Sequence, residues 1–560
     1  MDTALLSKML FQAIGGLGIF LLGMKYLSDG MQVIAGNRLR RMIAAVTNNR
    51  FIALTVGVFF TCLVQSSSIT TVMVVGLVNS GVMTLIQAIG VIMGANIGTT
   101  ITGWILVLKI GKYGLPIIGF SSFFYLFSKR DNIRFLAMAI MGVGMVFFGL
   151  ELMKNGFKPM RQVPEFIEWF ALFDAGTYFG VLKTAMMGCI LTFIVQSSSA
   201  TLAITMGLAS TGIIGFETSA ALVLGENIGT TITAFLASLG TGTNAKRAAY
   251  AHIIFNILGV FWITAIFQIY LVGVKSFLGV EPGLMVMKDG AETYPYIILG
   301  IAAVHTGFNI ANTVLFIPLM GQMERLLMFL FPEVDMVGGK ALTKLDPGMI
   351  ETPLIAIDSS HKEIVGMGII AAEQMALLKE AVGGESVKND QVELVFEKET
   401  ALDMIQHEVS IFLTDLLAAG LPHEITVEGR QQLIMADEYE SINDYVEKIL
   451  KLHLRLRDSD TALPKEEKAD IFQLHDEVYS YLQMVNEGCV KRDTNILLKA
   501  NPHSETITHM VRKIRTQHTE RLSAVRMEPV ITMILSDMLN DYRRVKDHAL
   551  NIAEAIAGKK

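Results

Sequence analysis

From Phe51 to Leu108 the chain runs 58 residues without one Asp, Glu, Lys or Arg. A soluble domain does not leave so long a stretch uncharged, because its surface must be solvated. About 20 apolar residues cross a bilayer, so this run is long enough for more than one pass. Yet it also holds groups that hydrocarbon disfavours: Gln65-Ser66-Ser67-Ser68 followed by Thr70, and later Asn96, Thr99 and Thr100. Burying such groups costs free energy unless something binds them.

The same groups occur again 131 positions on, as Gln196-Ser197-Ser198-Ser199 with Thr201, then Asn227, Thr230 and Thr231. Between Gln65–Trp104 and Gln196–Phe235, 16 of 40 positions match without a gap, more than shared apolar composition gives. The repeat starts earlier: Gly16, Gly18, Gly23 and Gly30 match Gly142, Gly144, Gly149 and Gly156 at an offset of 126. Small residues at that spacing let membrane helices approach closely. A duplicated polar cluster inside a membrane domain points to a transporter built from repeats.

Mean hydropathy is +0.48, but the apolar character is uneven. Residues 1–335 carry 20 basic and 15 acidic side chains, whereas the remainder carries 26 and 37. A membrane part and an acidic soluble part follow, and the acidic balance argues against a nucleic-acid partner. Cys62, Cys189 and Cys489 read as packing residues rather than a disulfide framework. Met1-Asp2-Thr3 lacks the start of a signal peptide, so Ala4–Leu27 reads as a retained membrane helix.

Apolar segments are expected at about 5–28, 51–79, 83–108, 113–128, 134–150, 176–209, 213–238, 249–274 and 296–317. Met31–Val46 carries Arg38, Arg40 and Arg41 and reads as an interfacial helix. The clusters Arg38–Arg50 and Lys129–Arg134 belong in the cytoplasm by the positive-inside rule. An even number of crossings must separate them, so 51–79 is expected to enter and leave on one face, breaking near Gln65–Ser68. Residues 151–168 then fall outside, Lys246 and Arg247 inside, and 275–292 outside. The expected fold is all-α: seven crossings and two inverted repeats, each with a re-entrant hairpin, with the N-terminus outside and the C-terminus inside. Repeat 1 covers about 5–128, repeat 2 about 134–274, and a final helix about 296–317. After a linker over 336–357, rich in Gly and Pro, six amphipathic helices are expected at about 358–383, 397–419, 424–454, 465–494, 499–524 and 527–557. Six helices suggest two three-helix bundles.

Serine hydroxyls, a glutamine carbonyl and backbone carbonyls freed at a helix break offer oxygen to Na⁺. Hydroxyls, N–H groups and positive helix ends suit an oxyanion. Two inverted breaks meeting near the midplane would serve both at once; the plainer alternative is helix–helix glue by serine hydrogen bonds. Asn96, Thr99 and Thr100, with Asn227, Thr230 and Thr231, add donors and acceptors, or else cap helix ends. Glu226 stands where the first repeat has Ala95. A carboxylate in a membrane segment is a candidate for cation or proton coupling, unless it faces water at a helix end. His252 with Asn256, and His305 with Asn309, each put two polar groups on one helix face, lining a pathway or bonding the scaffold.

With these motifs the chain resembles bacterial members of the type II sodium–phosphate cotransporter family over most of residues 1–330. The resemblance implies that Gln65–Ser68 and Gln196–Ser199 build a site for sodium-coupled phosphate transport in the cell (inner) membrane. Residues 358–560 resemble the PhoU domain, a helical regulator that can bind metal clusters. Glu440 and Asp444 match that domain's acidic motif; in its second copy Asp547 matches, but Arg543 stands where the resemblance expects Glu. The resemblance therefore implies a divalent or iron-type metal at Glu440, Asp444 and Asp547, or a metal-free regulatory or dimerisation role. Either domain could serve a homodimer. The competing readings are a membrane-tethered phosphate-signalling regulator without turnover and a carrier of another oxyanion. An enzyme with a serine nucleophile is disfavoured, because no Gly-x-Ser-x-Gly elbow is present.

Overall fold

The glycines at heptad-like spacing decide how the first helices pack. In the computed structural model, α1 (Thr3–Ala44) and α7 (Asp131–Phe157) lie against each other along their length. A Cβ on Gly16 would sit 2.8 Å from the Gly149 carbonyl oxygen, and one on Gly23 2.8 Å from that of Gly142. Ascending residues of α1 therefore meet descending residues of α7. Helices equivalent in the repeat run antiparallel, which is the relation inverted repeats require.

The structure describes residues 3–44, 49–79, 83–108, 110–163, 173, 175–239, 241–288, 291–332, 343, 345, 349–350, 353–383, 389–418, 421, 423–459, 461, 463–524 and 528–559. The chain divides into two compact units, Met1–Asp335 and Met336–Lys560.

In the first unit α2 (Arg50–Val64) and α3 (Ser67–Asn79) are followed by α4 (Leu85–Gly98), α5 (Ile101–Val107) and α6 (Gly114–Phe127). The second repeat supplies α8 (Tyr178–Val195), α9 (Ser198–Ser210), α10 (Phe216–Gly229), α11 (Ile232–Ala237) and α12 (Thr243–Ala265). Then come α13 (Phe267–Leu278), a two-stranded ribbon of β1 (Val286–Lys288) and β2 (Ala291–Thr293), α14 (Ile297–Phe316) and α15 (Met320–Leu330).

Met31–Val46 is no separate interfacial helix: α1 continues unbroken to Ala44, because that stretch lacks proline and Gly30 packs on the Phe135 backbone. The helix expected to end at residue 150 runs to Phe157, so Glu151 and Lys154 are helical rather than in a loop. Pro318 sits in a 3-10 turn, and the final segment continues beyond it to Leu330. The ribbon was not expected at all.

Among the described residues seven helical stretches are long and apolar enough to cross a membrane: Ser7–Ala35, Leu85–Val107, Asp131–Met160, Tyr178–Val195, Phe216–Ala237, Thr243–Ala265 and Ile297–Leu330. The number matches expectation, but its members differ. Tyr178–Val195 qualifies on its own, although the repeat pattern makes segment 176–209 the second re-entrant hairpin. Gly114–Phe127, assigned as a crossing, has 14 residues, about 21 Å of helix against a hydrocarbon core of about 30 Å.

Among the described residues the second unit has the expected six helices: α16 (Pro353–Gly383), α17 (Asn389–Ala418), α18 (His423–Asp458), α19 (Lys465–Lys491), α20 (Leu497–Ala524) and α21 (Pro529–Ile556). They are not two separate bundles. One continuous core, with Tyr439, Tyr481 and Tyr542 fully buried, takes side chains from all six. The expected linker lies largely outside the described residues, and α16 has already begun by Pro353.

Candidate functional site

Each polar cluster sits at a helix break of the same construction. Gln65 closes α2 with φ 57° and ψ 20°, and Gln196 closes α8 with φ 56° and ψ 23°. Among the described residues just one other non-glycine, Arg492, has positive φ. Left-handed backbone costs an L-residue about 1–2 kcal/mol, and glycine usually takes this place after a helix. Glutamine takes this place at both breaks, at the expense of local strain.

The chain turns back on itself at both breaks. Thr61 Oγ1 lies 2.9 Å from Thr70 Oγ1, and Thr192 Oγ1 lies 3.0 Å from Thr201 Oγ1. Nine residues of continuous helix would hold such atoms roughly 13 Å apart. Thr70 and Thr201 thus stitch the arms together, and their hydroxyls also reach the carbonyls of Ser66 and Ser197.

Ser66 and Ser197 start the second arms: their Oγ atoms accept from the N–H of Ile69 and Ala200 at 3.2 and 3.3 Å. The next hydroxyls, on Ser67, Ser68, Ser198 and Ser199, stand in the first turns of α3 and α9. There the leading N–H groups have no helical partner and the helix dipole favours negative charge. These four hydroxyls make no hydrogen bond among the described residues, so each opening turn presents free donors.

The second motif packs directly on the first. A Cβ on Gly94 would lie 2.1 Å from the Leu54 carbonyl oxygen, and one on Gly225 1.7 Å from that of Ala185. No other residue fits, so α4 and α10 lie against the first arms α2 and α8. Asn96 and Asn227 are buried, each donating to the carbonyl four residues back, at Ile92 and Val223. Thr100 and Thr231 are held by the carbonyls of Ile97 and Ile228. Thr99 is buried, and the Thr230 hydroxyl is buried without a partner.

The His-x-x-x-Asn pairs meet this motif from α12 and α14. His252 Nε2 lies 3.4 Å from Asn96 Oδ1, and Asn309 Nδ2 donates to Asn227 Oδ1 at 3.2 Å. Glu226 is fully buried, with Oε1 3.7 Å from His305 Nε2, close enough for charge to be felt but too far for a hydrogen bond. Both Glu226 oxygens, both His305 nitrogens, Asn256 Oδ1, Asn309 Oδ1 and Thr313 Oγ1 are buried without hydrogen-bond partners. Buried polar atoms are nearly always paired, so each of these atoms is a candidate contact for a polar ligand or water. The recurring His-x-x-Phe-Asn could have put these histidines and asparagines in the site. Thr102, whose hydroxyl donates to Gln65 Oε1 at 3.2 Å, was missed, although its in-register match Thr233 signalled it.

The metal expected in the second unit does not fit. Asp547 lies 2.5 Å from Lys546 Nζ and 4.0 Å from Arg543 Nε, and Asp444 pairs with Lys448 at 3.5 Å. Cations thus already occupy two of the three carboxylates. Burial, then Asp444, raises the Glu440 carboxyl above its ordinary range. Among the described residues no three His, Cys, Asp or Glu side chains gather as a metal site. Glu440, Asp444 and Asp547 therefore form no metal-ligating cluster among the described residues.

A model of the Na+/Pi-cotransporter family matches this chain twice, over residues 19–155 and 177–312, each match containing one Gln-Ser-Ser-Ser break. The "Uncharacterized protein YqeW" of Bacillus subtilis is 30% identical over 314 residues, 56% of this chain and 95% of that protein. The "Putative inorganic phosphate export protein YjbB" of Salmonella typhimurium is 22% identical over 98% of this chain and 97% of its own length. The human "Sodium-dependent phosphate transport protein 2B" is 42% identical over 108 residues, 18% of this chain and 16% of that protein. With its doubled match and its likeness to YqeW across nearly all of that protein, this multi-pass membrane chain belongs to the Na+/Pi-cotransporter family, a family of transporters and not of enzymes.

Proposed function

We propose that the membrane unit is a symporter that carries inorganic phosphate together with Na⁺, holding both between the two glutamine–serine breaks and exposing them to each face in turn. The observation that carries this reading is the glutamine kept twice in left-handed backbone beside a helix start with free hydroxyls. Phosphate is assigned to Ser66–Ser68 and Ser197–Ser199 and the leading N–H groups of α3 and α9. Na⁺ is assigned to oxygens of Gln65, Gln196, Asn96, Asn227, Thr99, Thr100, Thr230 and Thr231, with Glu226 adding a formal charge in one half. Carrying cation and anion together offsets part of the penalty for occluding either alone. The second arms support a shared site: α3 packs on α11 and α9 on α5, each reaching into the other repeat.

A second reading is outward phosphate transport, favoured by the relative named as an export protein, which matches over 97% of its length. The helical unit 358–560 we assign to regulation from the cytoplasm. Radiolabelled phosphate flux into proteoliposomes separates the readings. A Na⁺ gradient should drive uptake several-fold faster than the same gradient of K⁺. Equal flux in K⁺ would reject sodium coupling, and flux that sulfate suppresses more strongly than phosphate would reassign the anion.

A further inference from the structure

The two halves of the site are built from matching residues but are not in matching arrangements. Thr102 and Thr233 are equivalents at the 131-residue offset. In the first repeat Thr102 Oγ1 donates to Gln65 Oε1 at 3.2 Å, and Gln65 Nε2 donates to the Cys62 carbonyl at 2.5 Å. Gln65 is 8% exposed. In the second repeat Thr233 Oγ1 turns instead to the carbonyl of Thr230 at 3.0 Å. Gln196 is exposed, and its amide makes no hydrogen bond among the described residues. The backbone of the two breaks is the same, and so are their threonine stitches. The difference lies in the threonine–glutamine bond and in what covers it. Ser28 of α1 donates to the Val64 carbonyl at 2.6 Å, whereas Lys154 stands at the equivalent place on α7.

A threonine in this position is seen with two different acceptors: the glutamine oxygen of its own repeat at Thr102, and the carbonyl three residues back at Thr233. One repeat uses the first acceptor and the other uses the second. Inverted repeats that share a fold can trade conformations, and that trade converts a site open to one face into a site open to the other. We propose that Thr102 and Thr233 are positioning residues that hold Gln65 and Gln196 in alternation, with the first engaged and the second released in the state seen here. In the opposite state Thr233 holds Gln196, and Thr102 turns to the carbonyl of Thr99. An engaged glutamine has its oxygen fixed; a released one is free to meet an arriving ion or water.

This proposal rests on the transport reading above. Its test is the KM for inorganic phosphate measured from each face of oriented proteoliposomes containing the full chain. Thr102→Val weakens one state and Thr233→Val the other. The ratio of the two KM values should therefore move in opposite directions, about two- to tenfold for one hydrogen bond, and serine at either position should restore it. A ratio that moves the same way in both valine variants, or not at all, overturns the alternation. Wild-type protein that carries no phosphate from either face would defeat the transport reading instead. Should a valine variant not reach the membrane, Gln196→Cys paired with Thr233→Cys decides, in a Cys62→Ala, Cys189→Ala background. With copper–phenanthroline added as the oxidant that takes up the two electrons of disulfide formation, cross-linking is expected when Na⁺ and phosphate are present on both faces, and its absence with and without them overturns the proposal.

Discussion

The break at Gln65 and the break at Gln196 share a backbone and differ in their surroundings. Both glutamines are left-handed, both threonine pairs close at about 3 Å, and both serine turns open with free donors. At the first break α1 covers the turn and Thr102 holds the amide; at the second the amide is exposed. One break also has Glu226 in the helix packed behind it, where the other has Ala95. The lesson is that local sequence makes the break, while its neighbours decide whether it is closed.

The largest effect should come from erasing what the breaks share. Ala at Ser66, Ser67 and Ser68 together removes three hydroxyls beside a helix start, as does Ala at Ser197, Ser198 and Ser199. Either triple variant should reduce phosphate uptake at least about a hundredfold, since several hydrogen bonds to a charged group are lost. If one triple leaves uptake intact, the two breaks do not serve one site.

Glu226 tests what they do not share. Glu226→Gln keeps the volume and removes the charge. It should raise the Na⁺ concentration for half-maximal uptake by about tenfold, and Ala95→Glu should not mimic the loss. An unchanged Na⁺ and pH dependence in Glu226→Gln would rule the carboxylate out of coupling. The burial of Glu226 beside His305 without a hydrogen bond makes the charge costly to keep for packing alone.

Sequence alone exposed the repeat, the position of both breaks and the serine runs, because each depends on residues adjacent in the chain. Charge counting separated the membrane part from the acidic part for the same reason. It did not expose the Asn96–His252 and Asn227–Asn309 contacts, which join residues 156 and 82 positions apart. Nor did it reveal that α1 continues to Ala44: arginines suggested an interface, while packing of Gly30 on α7 sustains the helix. The acidic motif at Glu440 and Asp444 suggested a metal; Lys448, Lys546 and Arg543 turn those helix faces toward ion pairing instead.

A smaller effect distinguishes the two glutamines. Glycine adopts left-handed backbone without strain, so Gln196→Gly should stabilise the protein by about 1 kcal/mol, read as a higher thermal midpoint. Gln65→Gly relieves the same strain but loses the bonds to Thr102 and Cys62, so its midpoint should hardly move. Both should slow uptake about tenfold. Equal midpoints for the two variants would mean that the engaged and released arrangements differ little in energy.

The smallest expected effect is at Ser28. Its hydroxyl satisfies the Val64 carbonyl, which lies at the end of α2 where no helical N–H reaches it. Gln32 Nε2 in turn donates to the Ser28 hydroxyl at 3.1 Å, so the cover is a short chain of bonds. Ser28→Ala removes the donor and leaves a buried carbonyl to find water or go unpaired, a loss of about 1 kcal/mol. The second break has no serine at this place, so the variant makes the first break more like the second. Uptake should change about two- to threefold, and the Gln65 region should exchange amide hydrogens faster, with Gln196 unaffected. If exchange rises at both breaks equally, the cover by α1 is not local, and the asymmetry between the repeats must be sought in the helices behind them.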